Sequence, residues 1–338
     1  MDWKELRRKA KENLEGYCRV CPVCNGRACA GEVPGMGGIG SGASFRANLQ
    51  ALERYRVNMR TLHDATDPDT SSVVFGRRIA FPILAAPLTG ASYNMGGKLT
   101  EREFIGAVIK GSRLAGTIGM CGDGGDPGFF DSGLEAIAGE EGCGVAVLKP
   151  RANQAVMERM ARAEKAGALA VGMDVDGAGL VIMAQHGQPV GPKTEAELAE
   201  LVSATRLPFM VKGVMTVDEA VSAARAGAAA IVVSNHGGRI LDHTPGAAEV
   251  LPEIAAGLKG KVAILADGGV RSGVDVLKLL ALGADAVLVG RPVVLGAFGG
   301  GADGVRLVLE KMASELKQAM ILTGCPSISE INQRVITG

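Results

Sequence analysis

The chain has 338 residues, and its 36 basic and 36 acidic side chains cancel to a formal net charge of zero. It therefore lacks the positive field that nucleic-acid binders and polybasic membrane-surface proteins require. Hydrophobic residues make up 47% and charged residues 21%, which suits a large buried core and excludes a disordered chain.

Taken from the N-terminus, Met1 to Lys9 carries charges with no apolar stretch behind them, unlike a secretory signal. No run reaches the roughly 18 apolar residues of a membrane span. The segment Lys4–Glu15 reads as a solvated helix that Trp3 and Leu6 could dock. Four of the seven cysteines follow as Cys18-x2-Cys21-x2-Cys24-x4-Cys29. Four thiolates this close in sequence can close around one metal, either Zn²⁺ or an iron–sulfur cluster. The odd cysteine count argues against a disulfide framework, so the expected location is cytoplasmic, with reduced thiols. Residues 1–40 read as a cysteine-rich arm joined through the glycine-rich stretch Gly35–Gly42, a flexible joint, to a domain spanning 41–338.

From about residue 79 one unit recurs: a short apolar run, a polar or glycine turn, a helical pattern ending in Ala-Gly or Leu-Gly, then another apolar run. The runs are Phe81–Ala86, Thr117–Met120, Val145–Leu148, Ala168–Met173, Pro208–Val211, Ala229–Val233, Val262–Ala266 and Ala286–Val289. Runs apolar on both faces are the mark of buried parallel strands. Thr194 with Glu197 and Thr216 with Glu219 read as capping boxes. Val217, Ala220, Val221 and Ala224 read as the core-facing stripe of the second of these helices. Eight strands alternating with helices predict an α/β fold, a (β/α)8 TIM barrel with a short N-terminal extension.

Chemistry in such a barrel gathers at the C-terminal strand ends. The sixth run leads into Ser234-Asn235-His236-Gly237-Gly238-Arg239, a base beside a guanidinium, which suits an anionic substrate that must lose a proton. The fifth ends at Lys212, costly to bury unless an anion meets it. The fourth ends Asp174-Val175-Asp176, where one carboxylate can orient His236. After the seventh and eighth come Asp267-Gly268-Gly269-Val270-Arg271 and Gly290-Arg291-Pro292, glycine and arginine loops that read as a phosphate cradle at a helix start. Cys121, Cys143 and Cys325 read as small core residues, and His63, His186 and His243 receive no role.

These segments, with Val211-Lys212-Gly213-Val214 and Thr323-Gly324-Cys325, resemble the FMN-dependent 2-hydroxy-acid oxidase and dehydrogenase family. A thinner likeness covers Gly42–Asp64 and Pro82–Pro87. The resemblance implies bound FMN, with Ala86, Pro87 and Leu88 under the ring, and Lys212 at the flavin N1 edge. It further implies Ser234, Asp267 and Gly269 along the cofactor, and Arg271, Gly290 and Arg291 at its phosphate. His236 becomes the base, Asp176 its orienting partner and Arg239 the grip on a substrate carboxylate. The implied activity is oxidation of a small 2-hydroxy acid, lactate- or glycolate-like, with electrons passed to FMN, in a homo-oligomer.

Three family features are missing. The family's tyrosines at the end of strand three and in the N-terminal arm have no counterpart, and Gly177-Ala178-Gly179 stands where a second arginine is usual. Lys149 and Tyr93 are the candidates to replace them. The gaps keep two alternatives open: a non-redox flavoenzyme similar to type 2 isopentenyl diphosphate isomerase, and a non-catalytic flavin or metal redox sensor. An iron–sulfur centre at Cys18, Cys21, Cys24 and Cys29 would favour a dehydrogenase that hands electrons to an acceptor protein.

Overall fold

The computed structural model describes all 338 residues. Its centre is a closed barrel of eight parallel strands: β1 (Ile83–Leu88), β2 (Gly119–Cys121), β3 (Gly144–Leu148), β4 (Ala170–Asp174), β5 (Phe209–Val214), β6 (Ala230–Val233), β7 (Ala263–Ala266) and β8 (Ala286–Val289). They follow chain order around the barrel, and β8 pairs back onto β1. Each coincides with an expected run to within three residues at either end. Gly116, Gly167, Gly227 and Gly283 follow directly on helix ends with φ of +78°, +78°, +91° and +115°. A side chain at those positions would be strained, so glycine stops each helix and turns the chain into the next strand.

Alternate strand residues divide the core into two layers. Leu84, Met120, Val147, Met210, Val232 and Leu265 fill the barrel interior, so it is a packed floor and not a pore. The intervening residues face the surrounding helices. The hairpin Ser72–Val74/Arg77–Ile79 packs Val74 and Ile79 into the interior layer.

The helix starts differ in part from expectation. Thr194 and Glu197 form a reciprocal capping box, whereas Thr216 only accepts the Glu219 N–H, and no side chain returns the bond. In that helix Ala220 and Ala223 are the buried positions, while Val217, Val221 and Ala224 are half-buried at its margin.

The N-terminal arm is docked. In helix Trp3–Asn13, Leu6 and Ala10 are fully buried, as is Leu14 beyond it. This helix packs on the long helix Arg291–Thr323, whose Gly299 backbone lies against Leu6. That long helix is apolar enough to cross a membrane by composition, yet it is kinked at Gly300 and Gly301 and covers the barrel wall. The expected flexible joint is latched to the β6 loop. The Ile39 N–H donates to Gly238 O at 2.9 Å, and the Ser41 N–H to Asp242 Oδ2 at 2.5 Å. Close backbone approach, more than freedom to bend, is what the glycines provide here.

Candidate active site at the C-terminal mouth of the barrel

His236 follows β6 with φ +56°, a left-handed conformation that costs energy for a residue bearing a Cβ. Two bonds hold it there: its N–H donates to Ser234 Oγ at 3.0 Å, and Nδ1 meets Asp176 Oδ2 at 3.0 Å. With the proton on Nδ1 facing a carboxylate, Nε2 is left as the basic nitrogen. Burial opposes ionisation of Asp176, but His236 and then Lys212 hold its carboxyl below the usual range. Gly213, at φ +100°, makes room for this carboxyl, because a Cβ there would press on Asp176 Cγ.

Lys212 and Asp174 form the buried floor beside this pair. Lys212 Nζ lies 3.2 Å from Asp174 Oδ1 and 3.9 Å from Asp267 Oδ2. Lys149 Nζ donates to Asp174 Oδ2 at 2.7 Å. Burial alone would favour neutral forms. The attraction of Lys149 and Lys212 nevertheless keeps Asp174 far below the carboxylate range, and the carboxylates of Asp174, Asp176 and Asp267 keep Lys212 firmly cationic. Asp267, in contrast, is pushed up by burial, and its Oδ1 has no partner.

Three arginines make the opposite pole, and none has a carboxylate partner. Arg239 donates to Gly35 O (2.6 Å), Gly37 O (3.2 Å) and Asn94 Oδ1 (2.8 Å). Arg291 donates to Met36 O, Gly37 O and Gly237 O at 2.8, 3.0 and 3.1 Å, with its guanidinium 4.0 Å from the Phe45 ring centre. Arg271 donates to Cys24 Sγ at 3.4 Å, and its buried Nε has no partner. Burial pulls Arg239 down to about 10. Burial, then Arg271 and Arg239, pull Arg291 down to about 9.

The helix-start part of the cradle needs correction. The helix after β7 begins at Gly273, and the N–H groups around its start are largely engaged: Arg271 N and Ser272 N, just before it, donate to Asp275 Oδ2, Gly273 N to Glu315 Oε2 and Asp275 N to Ser272 Oγ. An anion here meets guanidinium groups and the Gly268–Gly269 turn instead of a helix dipole. The helix after β8 begins at Arg291 behind an uncapped Gly290, so its start remains open.

A cavity of about 470 Å³ joins the two poles. Of the expected residues, Ala86, Pro87, Leu88, Lys212, His236, Arg239, Asp267, Gly269, Arg271, Gly290 and Arg291 line it. Ser234 and Asp176 do not; they stand behind the lining and hold His236. Lys149 and Tyr93 both reach the cavity, and so does His186, to which the sequence reading gave no role.

Sequence reasoning also missed two supports. Arg151 grips Asp123, donates to Gly124 O at 2.8 Å and so fixes the loop after β2; the only signal was a cation at a buried strand end. Glu101 accepts from Thr89 Oγ1, Gly90 N and Ala91 N at 2.6, 3.0 and 2.7 Å, and ties down the loop that carries Tyr93 and Asn94. In sequence it was indistinguishable from an ordinary first-turn acid.

The residues present fit FMN. The orphaned donor of Arg271 and the three unneutralised guanidiniums call for an anion, the orphaned Asp267 oxygen calls for a hydroxyl donor, and Ala86, Pro87 and Leu88 give the same cavity an apolar wall. The four arm cysteines are unpaired and half-buried. The one group of three or more Cys, His, Asp or Glu ligand atoms within 4.8 Å of one another is Asp174, Asp176 and His236. Lys149 and Lys212 already balance its charge, so it reads as a proton relay.

The family model for FMN-dependent dehydrogenases matches residues 35–186 and 181–338, which leaves the cysteine quartet outside. The 4-hydroxymandelate oxidase of Amycolatopsis orientalis is 37% identical over 86% of this chain and 89% of its own length. The glycolate oxidase of Spinacia oleracea is 32% identical over 85% of each. A solved mandelate oxidase structure superposes with a TM-score of 0.81 at 33% identity, covering 99% of this chain and 97% of that one.

Proposed function

The chain belongs to the FMN-dependent dehydrogenase family and is an FMN-dependent oxidoreductase of small 2-hydroxy acids, and on that premise we propose how its own residues do the work. His236 takes the substrate proton on Nε2 while Nδ1 stays on Asp176, which stabilises the resulting imidazolium. Arg239 has spent three N–H groups on Gly35, Gly37 and Asn94; those that remain grip the substrate carboxylate. Bound FMN supplies the two-electron sink. Lys212 would supply a permanent positive charge to the reduced cofactor, and Arg271 and Arg291 would hold its phosphate.

Lys149 stands in for the family's missing second cation, and Tyr93 for its missing tyrosine. Phe129, Leu180 and Met183 line the outer cavity and favour an apolar substituent on the substrate's C2. The observation that carries this reading is the Asp176–His236 pair opening onto the same cavity as Arg239 and Lys212. The non-redox and sensor alternatives find no support among the relatives, which are oxidases.

Seven unpaired thiols support a cytoplasmic setting, and we extend the reading to a homo-oligomer in which the cysteine arm holds a metal centre that favours delivery of electrons to an acceptor protein. The deciding experiment is anaerobic addition of 2-hydroxy acids to the FMN-loaded protein. Bleaching of the flavin band, lost in His236→Gln, supports the assignment. A band unchanged by every 2-hydroxy acid tried, aromatic and aliphatic, overturns it.

A further inference from the structure

The cysteine arm lies outside the family match, yet it is built into the wall of the arginine pole. Cys24 Sγ accepts from Arg271 Nη2 at 3.4 Å. Two residues on, Gly26 lies flat against the Phe45 ring, where any Cβ would collide. The other face of the arm does the same for the remaining arginines. Cys29 O presses on Gly37, and Gly37 O accepts from both Arg239 and Arg291.

The loop carrying the cysteines is itself pinned at its edges. Arg7 donates to Val20 O at 3.0 Å and Cys21 O at 2.8 Å, and Arg19 pairs with Glu32 through two bonds of 2.6 Å. Cys18 Sγ accepts the Val20 N–H at 3.5 Å. Four half-exposed thiols thus sit in a pinned loop with N–H donors on two of the sulfurs, and with no disulfide. The N–H···S contacts are of the kind that tune cluster ligands. The tandem Cys18-x2-Cys21-x2-Cys24 spacing, with these N–H donors on two of the sulfurs, suits the thiolate set of an iron–sulfur cluster.

We infer that Cys18, Cys21, Cys24 and Cys29 ligate an iron–sulfur cluster whose Cys24 thiolate orients Arg271, so that cluster loading sets how tightly the phosphate end of the cavity holds its anion. The second half rests on the FMN reading above. Arg271 is the shared part: one nitrogen is committed to sulfur while its buried Nε stays free for an anion. Loss of the cluster frees the loop and, with it, the acceptors that hold all three guanidiniums in place.

The test uses the full chain purified without oxygen and reconstituted with ferrous iron and sulfide. Iron and acid-labile sulfide at about four of each per chain, with an electron paramagnetic resonance signal on reduction, are expected. FMN affinity, read by quenching of flavin fluorescence, should fall about tenfold or more when the cluster is stripped from the wild-type protein or prevented by Cys18→Ser, a ligand that does not touch Arg271. Cys143→Ser, buried far along the chain beside β3, should change neither reading. Stripping the wild-type protein keeps the test informative if the Cys18 variant misfolds. Iron-free protein, or zinc in its place, overturns the cluster. Equal FMN affinity with and without the cluster overturns the coupling. Absence of FMN binding in both forms overturns the flavin reading and the coupling together, while the iron and sulfide values still judge the cluster.

Discussion

The two poles of the cavity handle charge in opposite ways. On the β4–β6 side every buried charge has a partner: Asp174 with Lys149 and Lys212, Asp176 with His236. On the opposite side Arg271 and Arg291, after β7 and β8, lie over the Phe45 ring, and together with Arg239 of the loop after β6 they lean on backbone carbonyls, an amide oxygen and a sulfur, with no carboxylate among them. A side that is already neutral is organised to move a proton. A side left positive is organised to receive an anion.

The contrast can be broken most severely at His236. His236→Gln keeps a polar side chain on Asp176 but removes the base, and turnover should fall about 10³-fold with little change in FMN content. Anaerobic rates of flavin bleaching measure it, and a loss below tenfold would show that the paired side does not carry the proton.

Asp174→Asn comes next, because it strands two buried ammonium groups. A loss of about 3–5 kcal/mol of folding stability is expected from urea unfolding. The same carboxylate sets an acid limit. Its pKa is lowered in the folded protein, so its contribution is full above the unfolded value near 4 and is lost as pH falls below it. Wild-type stability should therefore decline on acidification under about pH 4, and the asparagine variant should decline less.

Arg291→Met sharpens the other side. It removes one of the two cations assigned to the phosphate, and FMN should bind about 10- to 100-fold more weakly while the apoprotein stays folded. Titration calorimetry gives the ratio. The smallest effect is on the unaltered chain: inorganic phosphate should raise the melting temperature of FMN-free protein by a few degrees, where chloride at equal ionic strength does not. Equal shifts with both salts would mean that the arginines are adequately neutralised without an anion.

How legible each pole was in the sequence follows the range of the interactions that build it. The barrel strands, the helix-stopping glycines and the Thr194–Glu197 box are written in residues one to eight positions apart, and each stands where expected. The pairing of His236 with Asp176 was readable because strand-end positions in a barrel converge by construction. Ser234 stands behind the cavity lining, where its Oγ accepts the His236 N–H, and an alternating strand does not reveal which side chain stops at that second layer.

Beyond that, chain order is silent. The sequence alone determined the barrel and placed His236, Lys212 and the arginines at its mouth, because periodicity and local turn chemistry act over a few residues. Only the folded protein could decide that Glu315 takes the Gly273 N–H at the start of the helix after β7, that Glu101 and Arg151 brace the rim, and that a cysteine loop near residue 24 touches an arginine at 271. Those contacts join segments up to 247 residues apart. Their energy comes from burial and charge in a shared space, which no local pattern encodes.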